Sequence, residues 1–417
     1  MDIMVLVYVL LIIAFAKALG EAVSRINQPP IVGELLAGIV LGPFLLGSVF
    51  EGLHDMWEPG TRSDFIAQLA DLGILFLMLY VGLEFSPKLI RASSWMGSGI
   101  AAVGIAVPAV LGVLVGIVFD LDGLTLAFTA VAMAVTALPV TIRILKDMDV
   151  IGTRTSGTIV SAALITDVVL LLVLGVIIGA FEGSATWSTA LYLSAGFVIF
   201  FVFALVVGRL VVPHVYRLLK WMRTGEAAFA VAVGIAIAFA IAAEWAGLPG
   251  VIGAFIAGLL LRETGTGLKV WARVEEILSG VTLGFLAPIF FVLIGFSVQF
   301  DLVLDHLPLF VSILAVAVVG KMAGTFVVGK LGGLSLNESM AVAAMMMGKG
   351  AMELVFAQLA LELGLIDPYL FSVLVLMAFI STILAPILFK MFYNRGVIAG
   401  DIPTARMAEG QGPSQTV

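Results

Sequence analysis

The sequence predicts an all-α polytopic membrane protein. We read about thirteen transmembrane helices, six-helix inverted repeats joined by a linking helix, and helices that break partway across the membrane. Three observations carry that reading. Of the 417 residues 62% are hydrophobic and only 12% charged, about half the charge of an ordinary soluble chain. Apolar runs of about 20 residues, the length a helix needs to cross the hydrocarbon, recur from end to end. And "PPIVGELLAGIVL" at 29–41 returns without a gap as "PGVIGAFIAGLLL" at 249–261. The strands of a membrane barrel would alternate in polarity over roughly ten residues, and the sequence has no such pattern.

The spans fall at 2–20, 28–47, 65–84, 94–119, 123–145, 154–181, 188–219, 226–246, 248–262, 276–300, 306–331, 337–364 and 367–394. The first lacks a basic start and a cleavage site, so it reads as a retained helix. Residues 1–395 form one transmembrane domain, with repeat one at 1–181, the linking helix at 188–219 and repeat two at 226–394. The segment 396–417 is polar, with Gly, Pro, Ser and Gln, and reads as a disordered cytoplasmic tail.

Charge placement orients these spans. If alternate connections are cytoplasmic, starting after the first span, that side holds 18 of the 21 Lys and Arg residues, Lys17 and Arg25 among them. The other side holds only Arg62, beside acids such as Glu51, Asp120 and Asp301. Basic residues concentrate on the cytoplasmic side, so the N-terminus is outside and the C-terminus inside. The two remaining cations, Lys321 and Lys349, fall within spans. The repeated motif then crosses outward at 29–41 and inward at 249–261. "FLMLYVGLEF" (76–85) and "FFVLIGFSVQF" (290–300) make a second related pair. Inverted repeats of this kind place substrate sites near the midplane, at interrupted helices.

Two interruptions are expected at corresponding points. Pro139 stands deep in the fifth span, where it removes a helix hydrogen bond and disfavours helical Leu138. Gly348 and Gly350 flank Lys349 in the twelfth. Nearby, "SAALITDVVLLLVLGV" (161–176) sets Asp167 in the middle of an apolar run. An aspartate there costs on the order of 3 kcal/mol to insert. The bare charge is costly in such surroundings, so the carboxylate holds a proton or a small cation, but not easily both. Thr136 and Thr166 bracket this site and offer hydroxyl oxygens to a hard cation. Ala137, beside Thr136 at the break, is assigned to the same cation and proton site. Lys321, in "AVVGKMAGTF", is read as pairing with Asp167 when no ion is bound. Lys349 and Glu353 are four apart and share a helix face, where they compensate helix dipoles and each other. Glu34 and Glu84, near cytoplasmic helix ends, and Asp71, towards the outer end of its span, read as solvated or capping.

Other functions lack their constellations. There is no cysteine, and the three histidines (His54, His214 and His306) fall in loops or at helix ends, so neither thiol chemistry nor a metal cluster is expected. No serine nucleophile has a histidine partner and no glycine loop cradles phosphate, which argues against an enzyme or a bound cofactor. The net charge of −7 suggests no nucleic-acid partner.

These stretches resemble the cation:proton antiporter-2 family of monovalent cation/proton exchangers. The similarity runs through "PPIVGELLAGIVLGP" (29–43), "LGILFLMLYVGLEF" (72–85), "LPVTIRILKDMDVIGTRTSGTIVSAALITD" (138–167), "AEWAGLPGVIGAFIAGLLL" (243–261), "PIFFVLIGFSV" (288–298) and "GKGAMELVFAQLALELGLID" (348–367). The resemblance implies a homodimer in a prokaryotic inner or cell membrane, each protomer divided into a dimerisation domain and a mobile ion-carrying core. It also implies that the fifth and twelfth spans are broken and cross, with Asp167 binding Na⁺ or K⁺ in exchange for protons and Lys321 facing it. Two departures stand out: Thr166-Asp167 replaces the paired aspartates of electrogenic relatives or the Gln-Asp of potassium-efflux relatives, and Leu138 replaces a common polar residue. One carboxylate points to an electroneutral cycle. A sodium-coupled solute symporter of similar architecture and a cation channel are the competing readings. Sodium-dependent solute uptake would mark the first, and current under a pure voltage step the second.

Overall fold

The computed structural model describes residues 3–26, 28–42, 46, 61–84, 95–121, 123–136, 138, 141, 144–145, 148, 150, 153–182, 202, 206–207, 210, 214, 217, 224–246, 250–265 and 269–402. Among these residues the only regular structure is helical. Among the described residues seven helices are long and apolar enough to cross a membrane, and three shorter apolar ones accompany them. The linking helix at 188–219 lies, apart from scattered positions, outside the described residues, as does most of the tail. The last helix runs on to Ile398, slightly into the segment read as tail.

The chain divides into two compact units, each drawing on both halves of the sequence. The first comprises 1–87, 175–300 and 362–365; the second comprises 88–174, 301–361 and 366–417. In the first unit α1 (Ile3–Arg25) packs on α2 (Pro30–Leu41), and α2 packs on α10 (Ala287–Phe296). Likewise α7 (Gly225–Trp245) packs on α8 (Gly250–Gly265), and α8 packs on α3 (Thr61–Glu84). α2 starts at Pro30, whose missing N–H is no loss in the first turn.

Glycines set how closely these helices approach. A Cβ on Gly38 would collide with the Val292 carbonyl and the Gly295 backbone, and one on Gly258 with the Leu79 carbonyl and the Gly82 backbone. Gly38 and Gly258 are aligned in the repeated motif, and Gly82 and Gly295 in the second pair of segments. The same backbone-to-backbone contact is thus made twice, by corresponding residues. α10 continues α9 (Lys269–Val281) through a π-helical turn at Thr282–Leu286. Such a turn perturbs the regular hydrogen-bond ladder, and Lys17 donates to the Leu283 carbonyl at 2.6 Å and to Glu34 at 2.8 Å. Glu34 is therefore a buried, paired carboxylate rather than the solvated one expected. Its position suggested a helix end, but α1 covers it.

In the second unit α4 (Trp95–Val118) packs on α5 (Gly123–Ala132) and on α13 (Lys321–Leu331). α13 follows α12 (Leu307–Ala315) through a second π-helical turn, Val316–Gly320. α14 (Leu336–Met346) packs on both α13 and α16 (Pro368–Ile398). Ser335 caps α14 by accepting the Glu338 N–H at 3.1 Å. α6 (Arg154–Glu182) is started by Thr153, which accepts the Ser156 N–H at 3.1 Å. The Thr155 hydroxyl donates to Glu338 at 2.8 Å, tying the starts of α6 and α14 together.

Candidate functional site

Both expected interruptions fall in the second unit. α5 stops at Ala132, after ten residues. Its end tightens as Ala134 N–H and Val135 N–H turn back to Val131 and Ala132, and Thr136 beyond it is outside any helix. Ala137 and Pro139 lie outside the described residues; Leu138, expected to be pushed out of helical geometry by the following proline, is helical, and the unwound residues precede it. α14 stops at Met346, and helix resumes as α15 (Ala351–Glu362), leaving Met347–Gly350 unwound. A helix's last carbonyls have no partner within it. In water they would be solvated; here they are buried, and side chains supply the donors.

Two lysines do most of this. Lys349 Nζ donates to the carbonyls of Ala132 (2.8 Å) and Met133 (3.0 Å). Lys321 Nζ donates to those of Ala134 and, at 2.8 Å, Val135. Four consecutive carbonyls at the end of α5 are thus held by two ammonium groups, and cations at a helix C-terminus oppose its partial negative charge. Both lysines are 0% exposed. Lys349 also lies 3.5 Å from Glu353, one turn along. Neither Glu353 oxygen has a hydrogen-bond partner, so charge alone balances it.

The ion pair expected between Asp167 and Lys321 is not made. Lys321 spends its donors on backbone carbonyls, a demand created by the break in α5 and invisible when residues are read one at a time. Asp167 instead accepts the Leu138 backbone N–H on Oδ2 at 2.9 Å. This is the amide beyond the break, so carboxylate and lysines take opposite sides of one interruption. Asp167 Oδ1 and Thr166 Oγ1 are both buried and have no hydrogen-bond partner. A buried carboxylate oxygen without a hydrogen-bond partner is what a small cation, or a proton on the carboxylate, requires. Thr136 uses its hydrogen to reach the Met346 carbonyl at 3.0 Å, which links the two breaks.

Some contributors were not legible residue by residue. Each of the six hydrogen bonds just described has a backbone group of Leu138, Met346 or residues 132–135 as one partner, and almost any residue type would supply it. Thr382 on α16 carries no signal in the sequence, since a threonine in a membrane helix commonly bonds only its own backbone. Here its one hydroxyl hydrogen is shared between the Ala378 carbonyl at 2.7 Å and the Lys349 carbonyl at 3.0 Å.

Half-length helices meeting at breaks, with a buried carboxylate and basic residues beside them, define a secondary ion transporter. Comparison with known proteins narrows the class. The family model "Sodium/hydrogen exchanger, transmembrane" matches residues 9–395. The chain belongs to this family, a family of transporters, and is an integral membrane protein. It is 29% identical over 407 residues to the Na⁺/H⁺ antiporter NhaS4 of Synechocystis, an alignment covering 93% of this chain and 97% of that protein. It is 28% identical to a Na⁺/H⁺ antiporter of Enterococcus hirae, covering 93% and 98%. The Na⁺/H⁺-K⁺ antiporter GerN of Bacillus cereus is 27% identical, with 92% and 95% covered. Among solved structures, the sodium proton antiporter MjNhaP1 of Methanocaldococcus jannaschii shares the fold, with a TM-score of 0.73 at 16% identity, covering 96% of this chain and 99% of that one.

Proposed function

We propose that this protein exchanges a monovalent cation, Na⁺ or K⁺, for protons by alternating access, with Asp167 as the shared carrier. One observation carries the assignment. A buried carboxylate has one oxygen held by the Leu138 N–H, while its other oxygen and the neighbouring Thr166 hydroxyl have no hydrogen-bond partner. The carboxylate takes either a proton or the cation on that free oxygen, and loading one displaces the other. This competition is the coupling. The names of the relatives, Na⁺/H⁺ and Na⁺/H⁺-K⁺ antiporters, support the substrates.

The cycle is electroneutral on this reading. Lys321 and Lys349 each donate two N–H groups to the carbonyls of residues 132–135 and so serve the break, and on this reading Asp167 alone carries the exchanged proton. One carboxylate then trades one proton for one cation.

The architecture is proposed as thirteen spans in inverted six-helix repeats. The reciprocal glycine contacts of Gly38 with Gly295 and Gly258 with Gly82 support it. So does helix length: α5, with ten residues, is roughly 15 Å long, half of a hydrocarbon core about 30 Å thick. Charge sidedness puts the N-terminus outside and brings α5 and α14 in from opposite faces, so that the breaks cross at mid-depth. The second unit, which contains every residue of the site, is the ion-carrying core, and the protein works as a homodimer in a prokaryotic cell membrane.

The test is reconstitution. Proteoliposomes with an imposed pH gradient should release protons on addition of Na⁺, K⁺ or Li⁺, read by a pH-sensitive dye. Asp167→Asn should stay monodisperse and lose the response. Robust cation-driven proton movement in that variant would refute the site, and exchange that required an organic solute would favour a symporter.

A further inference from the structure

The second break rests on α16, and one hydroxyl of α16 reaches it. Thr382 Oγ1 lies 3.0 Å from the Lys349 carbonyl and 2.7 Å from the carbonyl of Ala378, one turn back in its own helix. One turn further along, Ala385 packs against Gly348, where an added Cβ would sit 3.2 Å from the alanine methyl. α16 thus touches the unwound segment at two successive residues, once by packing and once by a hydrogen bond. Lys349 is the second of the two. Its side chain reaches to the end of α5, while its backbone carbonyl, outside any helix, has the Thr382 hydroxyl as a donor.

We infer that Thr382 is a positioning residue for the exchange reaction: its hydroxyl fixes the Lys349 backbone, and through it the ammonium that holds the first break. The inference rests on the reading that the Asp167 site carries the ions. The physical reason is that an unwound segment has no ladder of its own to set its conformation. Each of its carbonyls is placed by whatever donor it finds, and Lys349 finds one. Without that donor the carbonyl turns towards another partner and the lysine stem turns with it. The Ala132 and Met133 carbonyls would then lose their alignment with the ammonium group, and the break that presents Leu138 N–H to Asp167 would relax. A shift of this kind acts on the geometry of the empty site more than on the rate of its conformational change.

Ser381, the adjacent residue, provides an internal control. It is also buried, but its hydroxyl bonds only to Met377 and Ala378, within its own helix. It has the same chemistry in the same helix and no hydrogen bond to the break.

The experiment compares wild type, Thr382→Val, Thr382→Ser, Ser381→Ala and Asp167→Asn in proteoliposomes, with Na⁺ as the probe and cation KM measured separately from maximal rate. Valine keeps the shape of threonine and removes only the hydroxyl. Thr382→Val should raise KM by about three- to tenfold, the equivalent of one interhelical hydrogen bond in a membrane protein, with maximal rate within about twofold. Thr382→Ser should restore KM, and Ser381→Ala should leave it at the wild-type value. An unchanged KM in Thr382→Val overturns the inference. So does a fall in thermal stability and maximal rate without a change in KM, since that marks packing alone. A serine variant that fails to restore KM overturns it as well, by pointing to the methyl group. Exchange surviving in Asp167→Asn would instead refute the reading of the site, and it is scored separately from the Thr382 series.

Discussion

Replacing Lys321 with methionine tests the claim that this lysine serves the end of a helix rather than the carboxylate of Asp167. Methionine keeps the length and apolar stem, so the packing of α13 on α4 is little changed. What is lost is a donor to the Ala134 and Val135 carbonyls, both in buried surroundings. A buried acceptor left without a donor costs about 1–3 kcal/mol in soluble proteins, whereas interhelical hydrogen bonds in membrane proteins average about 0.6 and reach about 1.7 kcal/mol. Two acceptors therefore account for roughly 1–3 kcal/mol, and the lost charge at the helix end adds about 0.5–1 kcal/mol. A destabilisation of about 2–3 kcal/mol is expected. Equilibrium unfolding in mixed micelles, followed by circular dichroism, measures it. Equal or greater stability of Lys321→Met would refute the reasoning. The double variant with Asp167→Asn provides a second test. If the lysine mainly neutralised Asp167, removing that charge would rescue stability; carbonyls left without donors are not helped by it, so no rescue is expected.

Two further outcomes follow from the same geometry. Gly38→Ala and Gly258→Ala each drive a methyl into a facing backbone, so both should lower the yield of folded, monodisperse protein. Gly234→Ala and Gly280→Ala, whose Cβ positions meet nothing within 4 Å, should behave like wild type in the same size-exclusion assay. Recording from reconstituted protein on a solid-supported membrane should show no sustained transport current under a cation gradient, and a current that reverses with the gradient would disprove the one-carboxylate cycle.

Much of the site could be read from residue chemistry. Asp167 announces itself because a charge in a membrane helix is expensive wherever the neighbours lie, and a Gly-Lys-Gly run disfavours helix whatever it packs on. These are local or solvent-level constraints, and sequence states them directly. The duplicated Gly38 and Gly258 were legible for a related reason: close helix approach leaves room for one residue type only. What the tertiary structure alone decided is which partner each long or adaptable side chain takes. Lys321 had a carboxylate and a set of carbonyls to choose between, and the break in α5 made the carbonyls the more demanding partner. Glu34 turned out to be paired because α1 brings Lys17 onto it. Thr382 gained its role because α16 passes an unwound carbonyl, a backbone group that no residue name records. Flexible side chains and main-chain acceptors acquire their partners only when separate segments pack, and so the folded chain, not its order of residues, determines them.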